Sequence, residues 1–185
     1  MKELPSSAPA DTESLVKSAQ QGNQEAFTRL YRQFADQIYR FSYFKTSNRQ
    51  LAEDITSETF LRVWRYLARY KSQNFRAYLF TIARNLINDH YKNQARTGLM
   101  ENVDEQLADK PNDPLANLIK SDQNQGLLTA LSKLSPLHKE VVMWRFIEEL
   151  SVKETAAIIK RPSVWVRVVQ HRALRKLKQL MEHHE

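Results

Sequence analysis

Apolar residues recur three or four apart along most of this chain, and residues suited to capping helices interrupt the runs. The clearest run is Phe27, Leu30, Tyr31, Phe34, Ile38 and Phe41, which makes one stripe along a helix. Before it, a short helix over Thr12 to Gln20 stops at Gly22, and Asn23 can cap the next one. A third helix is predicted from about Asn48 to Tyr70, with Leu51, Ile55, Val63, Trp64 and Leu67 inward. A fourth is predicted from about Phe75 to Asn93, with Tyr78, Leu79, Ile82, Leu86 and Ile87 inward. Stripes of this kind bury one another in a small bundle.

The same grammar returns further on. Asp113 before Pro114, and Ser135 before Pro136, each read as a cap followed by proline at the first helical position. Leu115, Leu118, Ile119, Leu128, Leu131 and Leu134 supply the apolar spacing. In "SVKE", Ser151 and Glu154 form a capping box that opens a helix of barely two turns. A break at Lys160 to Pro162 precedes "PSVWVRVVQHRALRKLK". Its first half has the β-branched and aromatic composition of a strand, and its second half is a basic helix. Pro162 forbids a helix running through it, and Ser163 can cap a new one. From Val166 the helical period holds: Val166, Val169 or Gln170, Ala173, Leu177 and Leu180 share a face. A helix is therefore expected here against local propensity. The whole chain is expected to be all-α, and short helix, tight turn and long basic helix outline a helix-turn-helix.

Composition narrows the function. The 185 residues are 42% hydrophobic and 26% charged, with only 3 Gly, which suits a helical globular protein. Net charge is +7, distributed as +5 up to Val103, −3 from Asp104 to Gln125 and +5 beyond. Two basic blocks thus flank an acidic, Pro-containing stretch that reads as a linker. The basic excess points to a polyanion. There is no Cys, hence no disulfide framework. No apolar run reaches the ~18 residues of a membrane span, and the N-terminus lacks the apolar core of a signal peptide. A soluble cytoplasmic protein is expected, with residues 1–11 disordered and no membrane contact. We find no phosphate loop, metal-ligand spacing or nucleophile–base signature. "LHKE" around His138 and the terminal "EHHE" are too little for catalysis or a metal site. No enzyme activity, cofactor, metal or small-molecule substrate is expected.

Four stretches then carry a resemblance: "GNQEAFTRLYRQF", "LAEDITSETFLRVWRYL", "FRAYLFTIARNLINDHYK" and "LLTALSKLSPLHKEVVMWRFIEELSVKETAAI". In this order and spacing the chain resembles a bacterial RNA polymerase sigma factor of the extracytoplasmic-function (ECF) group. The resemblance implies region two over residues 12–96, an acidic linker over 97–112 (to about 125 if the next helix starts late), and region four over 113–182. It implies core RNA polymerase and promoter DNA as partners, and an anti-sigma factor as inhibitor.

Site residues follow from that resemblance. Asp54, Ser57, Glu58, Leu61 and Arg62 match the helix that binds the polymerase clamp, with Ser57 where the family usually has Gln. Phe75, Arg76, Arg84, Asn85, Asn88 and Lys92 match the segment that reads and melts the −10 element; opening it needs rings or pockets for unpaired bases and cations for the backbone. Asn85 is either a base-edge amide or a plain surface amide, and Tyr78 belongs more to the core. Trp165, Arg167, Val168, His171, Arg172, Arg175 and Lys176 match the −35 reader. There, cations neutralise phosphates or reach base edges, while Trp165 and Val168 meet thymine methyls and sugar, or another protein surface. Lys160 stands where the family commonly has Gly at the turn, and Val168 and Val169 where it favours polar or basic residues. These departures motivate an alternative: a sigma-like or helix-turn-helix regulator without initiating activity.

Overall fold

A computed structural model of the chain describes residues 9–71, 74–96 and 125–182, and the described elements are all helical. In the first lobe α1 spans Pro9–Gln20, α2 Gln24–Thr46, α3 Arg49–Tyr66 and α4 Phe75–Arg96. In the second, α5 spans Gln125–Ser132, α6 Pro136–Val142, α7 Val152–Ile159 and α8 Ser163–Glu182. The expected helix from Asp113, the acidic stretch 97–112, residues 1–8 and the last three residues lie outside the described residues.

The caps act as their chemistry demands. Asn23 Oδ1 accepts from Ala26 N at 3.0 Å, and Asn48 Oδ1 accepts from Leu51 N at 3.0 Å. Each occupies a backbone N–H that the helix itself leaves without a partner. Between α1 and α2 the chain turns at Gly22, whose φ of 91° suits a residue without Cβ. Ser151 and Glu154 close the capping box: Ser151 N donates to Glu154 Oε2 at 2.6 Å, and Glu154 N to Ser151 Oγ at 3.2 Å. Pro136 follows Ser135 at the start of α6, as expected. Ser163 departs from expectation: it already lies inside α8, and the Pro162 carbonyl accepts from Val166 N at 3.2 Å. α1 also starts earlier than Thr12, and α3 tightens at Tyr66 into a 3₁₀ turn, Leu67–Arg69.

The first lobe packs α1 on α2, α2 on α3 and α3 on α4. Leu30, Phe34, Ile38 and Phe41 of α2, Ile55, Phe60 and Val63 of α3, and Leu79 and Ile87 of α4 form its core. Gln20 Nε2 donates to the carbonyls of Leu67 (3.0 Å) and Tyr70 (2.7 Å), tying α1 to the end of α3. Trp64, expected inward, is 40% exposed and lies against Phe27 with ring centroids 4.7 Å apart. Phe60, one turn earlier, takes the core position instead.

In the second lobe α6 runs into a π-helical segment, Met143–Ile147. The wider turn brings Trp144 fully out of solvent and leaves Glu148 at the entry to the α7 loop. Arg145 braces this loop, donating to Gln170 Oε1 (2.9 Å) and to the Leu150 carbonyl. On α8, Val166, Val169 and Ala173 are buried, so the segment is a helix with the predicted inner face.

The lobes touch. α7 packs on α4, and Trp144 inserts between Phe41 (4.3 Å) and Phe80 (4.8 Å). This contact explains why α4 buries Phe80 and Ala83 in addition to its bundle stripe: it serves two cores at once.

Candidate nucleic-acid interface

Three helix faces carry the residues singled out by sequence. On α3, Asp54, Ser57 and Leu61 are exposed and Glu58 and Arg62 half-buried, all at turn spacing. Arg62 Nε donates to Glu58 Oε1 at 2.8 Å across one turn, which fixes both side chains. Leu61 is 58% exposed, and Tyr31, Trp64 and Tyr66 are exposed large rings on the same two-helix layer. Leu61 thus stands exposed beside the Glu58–Arg62 pair, with Asp54 and Ser57 exposed on the preceding turns of the same helix.

On α8, Arg167, His171, Arg172, Arg175 and Lys176 are all exposed. Among the described residues, no ion pair engages any of them; the ion pair on α8 is Lys178 with Glu182 at 3.6 Å, one turn from its end. Trp165 is half-buried, and the Arg161 guanidinium sits 5.8 Å from its ring centroid. Val168 is 42% exposed in the middle of the cationic row. The turn that aims α8 places Lys160 at φ 54°, ψ 49°, the left-handed conformation. Its N–H donates to the Ala157 carbonyl (3.4 Å) and that of Arg161 to the Ala156 carbonyl (3.1 Å), the helix-ending pattern glycine usually serves. The turn therefore keeps its form, at a cost of roughly 1–2 kcal/mol for a residue with a Cβ.

The α4 face differs. Asn85 and Lys92 are exposed and Asn88 is half-buried. Phe75, expected at an accessible loop–helix junction, is instead 5% exposed, edge-on to Phe34 (5.9 Å) and Tyr70 (5.7 Å). A ring held there stacks on no base without leaving the core. Arg76 and Arg84 are half-buried, and the second lobe occupies both. Arg84 Nε donates to Glu140 Oε1 at 2.8 Å, while Lys45 lies 3.6 Å from Glu140 Oε2. Arg76 donates to Gln37 Oε1 (3.0 Å) and to the Glu148 carbonyl, and Arg40 and Arg76 approach the Glu148 carboxylate at 3.6 and 3.8 Å.

Electrostatics grade these contacts. Burial pushes the Glu148 carboxyl above the usual carboxylate range, and Arg40 and Arg76 offset only part of that. Its oxygens are fully out of solvent and, among the described residues, lack a partner at hydrogen-bond distance. Burial likewise lowers the Arg76 guanidinium from its ordinary value, against the attraction of Glu148 and Glu154; an arginine stays charged regardless. For Glu154, burial pushes upward, but hydrogen bonds from Ser151 and Asn74 and the charge of Arg76 outweigh it and hold the carboxyl below its ordinary value. Sequence reading did not find Glu140, Glu148, Arg40 or Lys45. The available signal was the second apolar row on α4, Phe80 and Ala83, beside the bundle stripe; Phe80 meets Phe41 of α2 edge-on at 5.8 Å, and Trp144 of the second lobe completes its enclosure.

With this geometry in hand, two family models match the chain: Sigma-70 region 2 over residues 30–97 and Sigma-70 region 4 over residues 130–179. The chain is 39% identical over 174 residues to the ECF RNA polymerase sigma factor BldN of Streptomyces coelicolor, covering 90% of this chain and 64% of that protein. It is 32% identical over 185 residues to the ECF RNA polymerase sigma factor SigE of Mycolicibacterium smegmatis, covering 97% and 71%. Among solved structures, it is similar to CnrH in complex with the cytosolic domain of CnrY, with a TM-score of 0.70, 23% identity, and 95% and 99% coverage. A second is the sigma factor RpoE with the anti-sigma factor NepR from Bartonella quintana, at TM-score 0.66, 22% identity, and 84% and 96% coverage. At such identities these two establish the shared fold. The chain is a sigma factor by class, and it belongs to the ECF RNA polymerase sigma factors. Its first lobe is region two and its second is region four.

Proposed function

We propose that this chain directs core RNA polymerase to particular promoters, reading the −35 element with α8 and opening the −10 element with α4. Residues 12–96 and 113–182 are the working domains, and the stretch 97–112 is the tether between them. The observation that carries this reading is the row of exposed cations on α8, Arg167, His171, Arg172, Arg175 and Lys176, behind a helix-turn-helix whose turn is kept even at Lys160. Cations on an open helix face lower the free energy of a phosphate backbone and leave side chains free for base edges.

In this account Asp54, Ser57, Glu58, Leu61 and Arg62 dock the polymerase clamp, the apolar Leu61 giving affinity and the Glu58–Arg62 pair giving register. Arg76, Arg84 and Lys92 hold the −10 backbone, with Asn85 and Asn88 presenting amides to bases. Trp165 and Val168 take sugar or thymine methyls. The work is binding and strand separation in the cytoplasm, not bond-making, and it needs no cofactor. An anti-sigma partner fits the apolar exposure of Val164 and Val168. Among the described residues, no helix is long and apolar enough to cross a membrane.

The test is run-off transcription with purified core polymerase on genomic fragments, with transcript starts mapped. Discrete starts sharing a −10 and −35 motif are expected. Duplex binding by the chain alone with no initiation above core enzyme would favour the alternative, a helix-turn-helix regulator.

A further inference from the structure

α8 turns one row of side chains directly away from the core of its lobe, and the N-terminal half of that row is apolar. At about 100° per residue, Val164, Val168 and Arg175 stand within about 20° of the line opposite buried Val166. Val164 is 67% exposed, and Val168, one turn on, is exposed as well. We propose that Val164 and Val168 are the base-reading edge of α8, seated on the C5-methyl groups of two thymines in the −35 duplex, while Arg167 and Arg172 hold the phosphates on either side. The inference rests on the reading of α8 as the −35 helix and deepens it, naming Val164 as a specificity residue and thymine as the base that the valines select.

Neither valine is buried by the fold. Valine is also a poorer helix former than alanine, leucine or lysine, because its branched Cβ crowds the preceding turn. Two of them on an open helix face therefore call for an apolar partner outside the chain. Cations flank the row on both sides. Arg167 lies about 100° round from Val166 in one direction and Arg172 about 120° in the other, and both are exposed. Trp165 shares the Arg172 flank, with the Arg161 guanidinium 5.8 Å from its ring centroid.

An apolar ridge between two cationic flanks fits the major groove in section. That groove is about 12 Å wide, admits an α-helix and has a phosphate strand along each wall. The apolar group that base pairs present there is the thymine C5-methyl. Four residues of helix rise about 6 Å and base pairs lie about 3.4 Å apart, so the two valines reach methyls within a run of about three base pairs, on either strand. Arginine or lysine in their place would read guanine edges. The valines thus turn the N-terminal half of α8 towards thymine, while Arg175 keeps its C-terminal half cationic. A protein inhibitor seated on the row would compete with the duplex for it.

The test uses holoenzyme, the full chain with core polymerase, on linear promoter duplexes taken from transcript mapping, at one salt concentration. Each −35 thymine is replaced in turn by deoxyuridine, which removes the C5-methyl and keeps every hydrogen-bonding group. Two thymines within a run of about three base pairs are expected to respond, each deoxyuridine weakening binding about fourfold. Val164→Ala and Val168→Ala are each expected to weaken binding to the thymine duplex by about fourfold or more. Each variant should also abolish the penalty at one of the two thymines, as contacting pairs do in a double-mutant cycle. Melting temperatures check that both variants are folded, and the deoxyuridine arm needs no substitution. Binding that depends on the −35 sequence yet ignores every deoxyuridine overturns the inference and leaves α8 as the −35 helix. Penalties that persist in both valine variants also overturn it and leave the valine row to a protein partner. Binding indifferent to scrambling of the −35 element sinks both the inference and the reading it rests on.

Discussion

α4 and α8 are both long basic helices, yet Arg76 and Arg84 of α4 are engaged while Lys92 of α4 and the cation row of α8 are exposed. Arg84 and Arg76 of α4 face a carboxylate and a carbonyl of the other lobe, while Arg167, Arg172 and Arg175 of α8 face solvent. The difference lies in what each helix buries. α8 buries one row, Val166, Val169 and Ala173, flanked by half-buried Trp165, Gln170, Leu177 and Leu180, and leaves the face of Arg167, Arg172 and Arg175 open. α4 buries a bundle row and a second row beside it, Phe80 and Ala83, so its cations at the margin are drawn into the lobe contact. Positive charge alone therefore does not identify a free nucleic-acid surface; the neighbouring apolar residues decide whether the charge is already engaged.

The largest expected effect breaks the apolar centre of that contact. Trp144→Ala removes a fully buried indole from between Phe41 and Phe80. The expected loss is about 3–5 kcal/mol, read as a lower denaturant midpoint. Next come two arginines compared directly. Arg84→Ala leaves Glu140 buried with only Lys45 nearby, so a loss of about 1–3 kcal/mol is expected. Arg172→Ala, at an exposed position, changes stability by no more than about 0.5 kcal/mol. It instead weakens binding to a −35 duplex by roughly 1–3 kcal/mol if it reads a base, or lowers the salt slope by about one if it holds a phosphate. Equal stability losses from the two substitutions would erase the distinction between the helices.

A smaller effect sharpens the account of the turn behind α8. Lys160→Gly relieves the left-handed backbone and is expected to raise stability by about 1 kcal/mol. An unchanged or lowered melting temperature would mean the Lys160 side chain compensates for its backbone. The smallest effect concerns two carboxylates of the contact. Glu148 has a raised pKa from burial, so the folded state binds its proton more readily than the unfolded one. Its contribution is greatest at low pH and is lost as pH rises from the ordinary carboxylate range through the raised value. Glu154 is lowered; its contribution is present above its unfolded pKa and is lost as pH falls through the folded one. At neutral pH, Glu148→Gln should cost nothing while Glu154→Gln should destabilise, and a pH series of unfolding midpoints separates them.

Much of this was legible in the sequence, because local chemistry determined it. The caps at Asn23, Ser135 and Ser151 and the inner face of α8 follow from side-chain type and period alone. Trp64 sits on the edge of its stripe, where a large ring reads as core from sequence, while Phe60 one turn earlier fills that position more completely. Phe75 begins a helix after a loop, a position that sequence alone makes accessible, yet Phe34 and Tyr70 enclose it. The capture of Arg76 and Arg84 was beyond reach for a different reason. Their partners lie 72 and 56 residues away, across an acidic stretch, and nothing local couples those positions.

The most direct test compares the arginines of the free chain within one sample. Brief treatment with an arginine-selective dicarbonyl, followed by peptide mass spectrometry, gives a modification rate for each side chain. The account predicts fast modification of Arg167, Arg172 and Arg175 and slow modification of Arg76 and Arg84, with the slow pair accelerating in Glu140→Lys. Similar rates for Arg84 and Arg172 in the unaltered chain would contradict it.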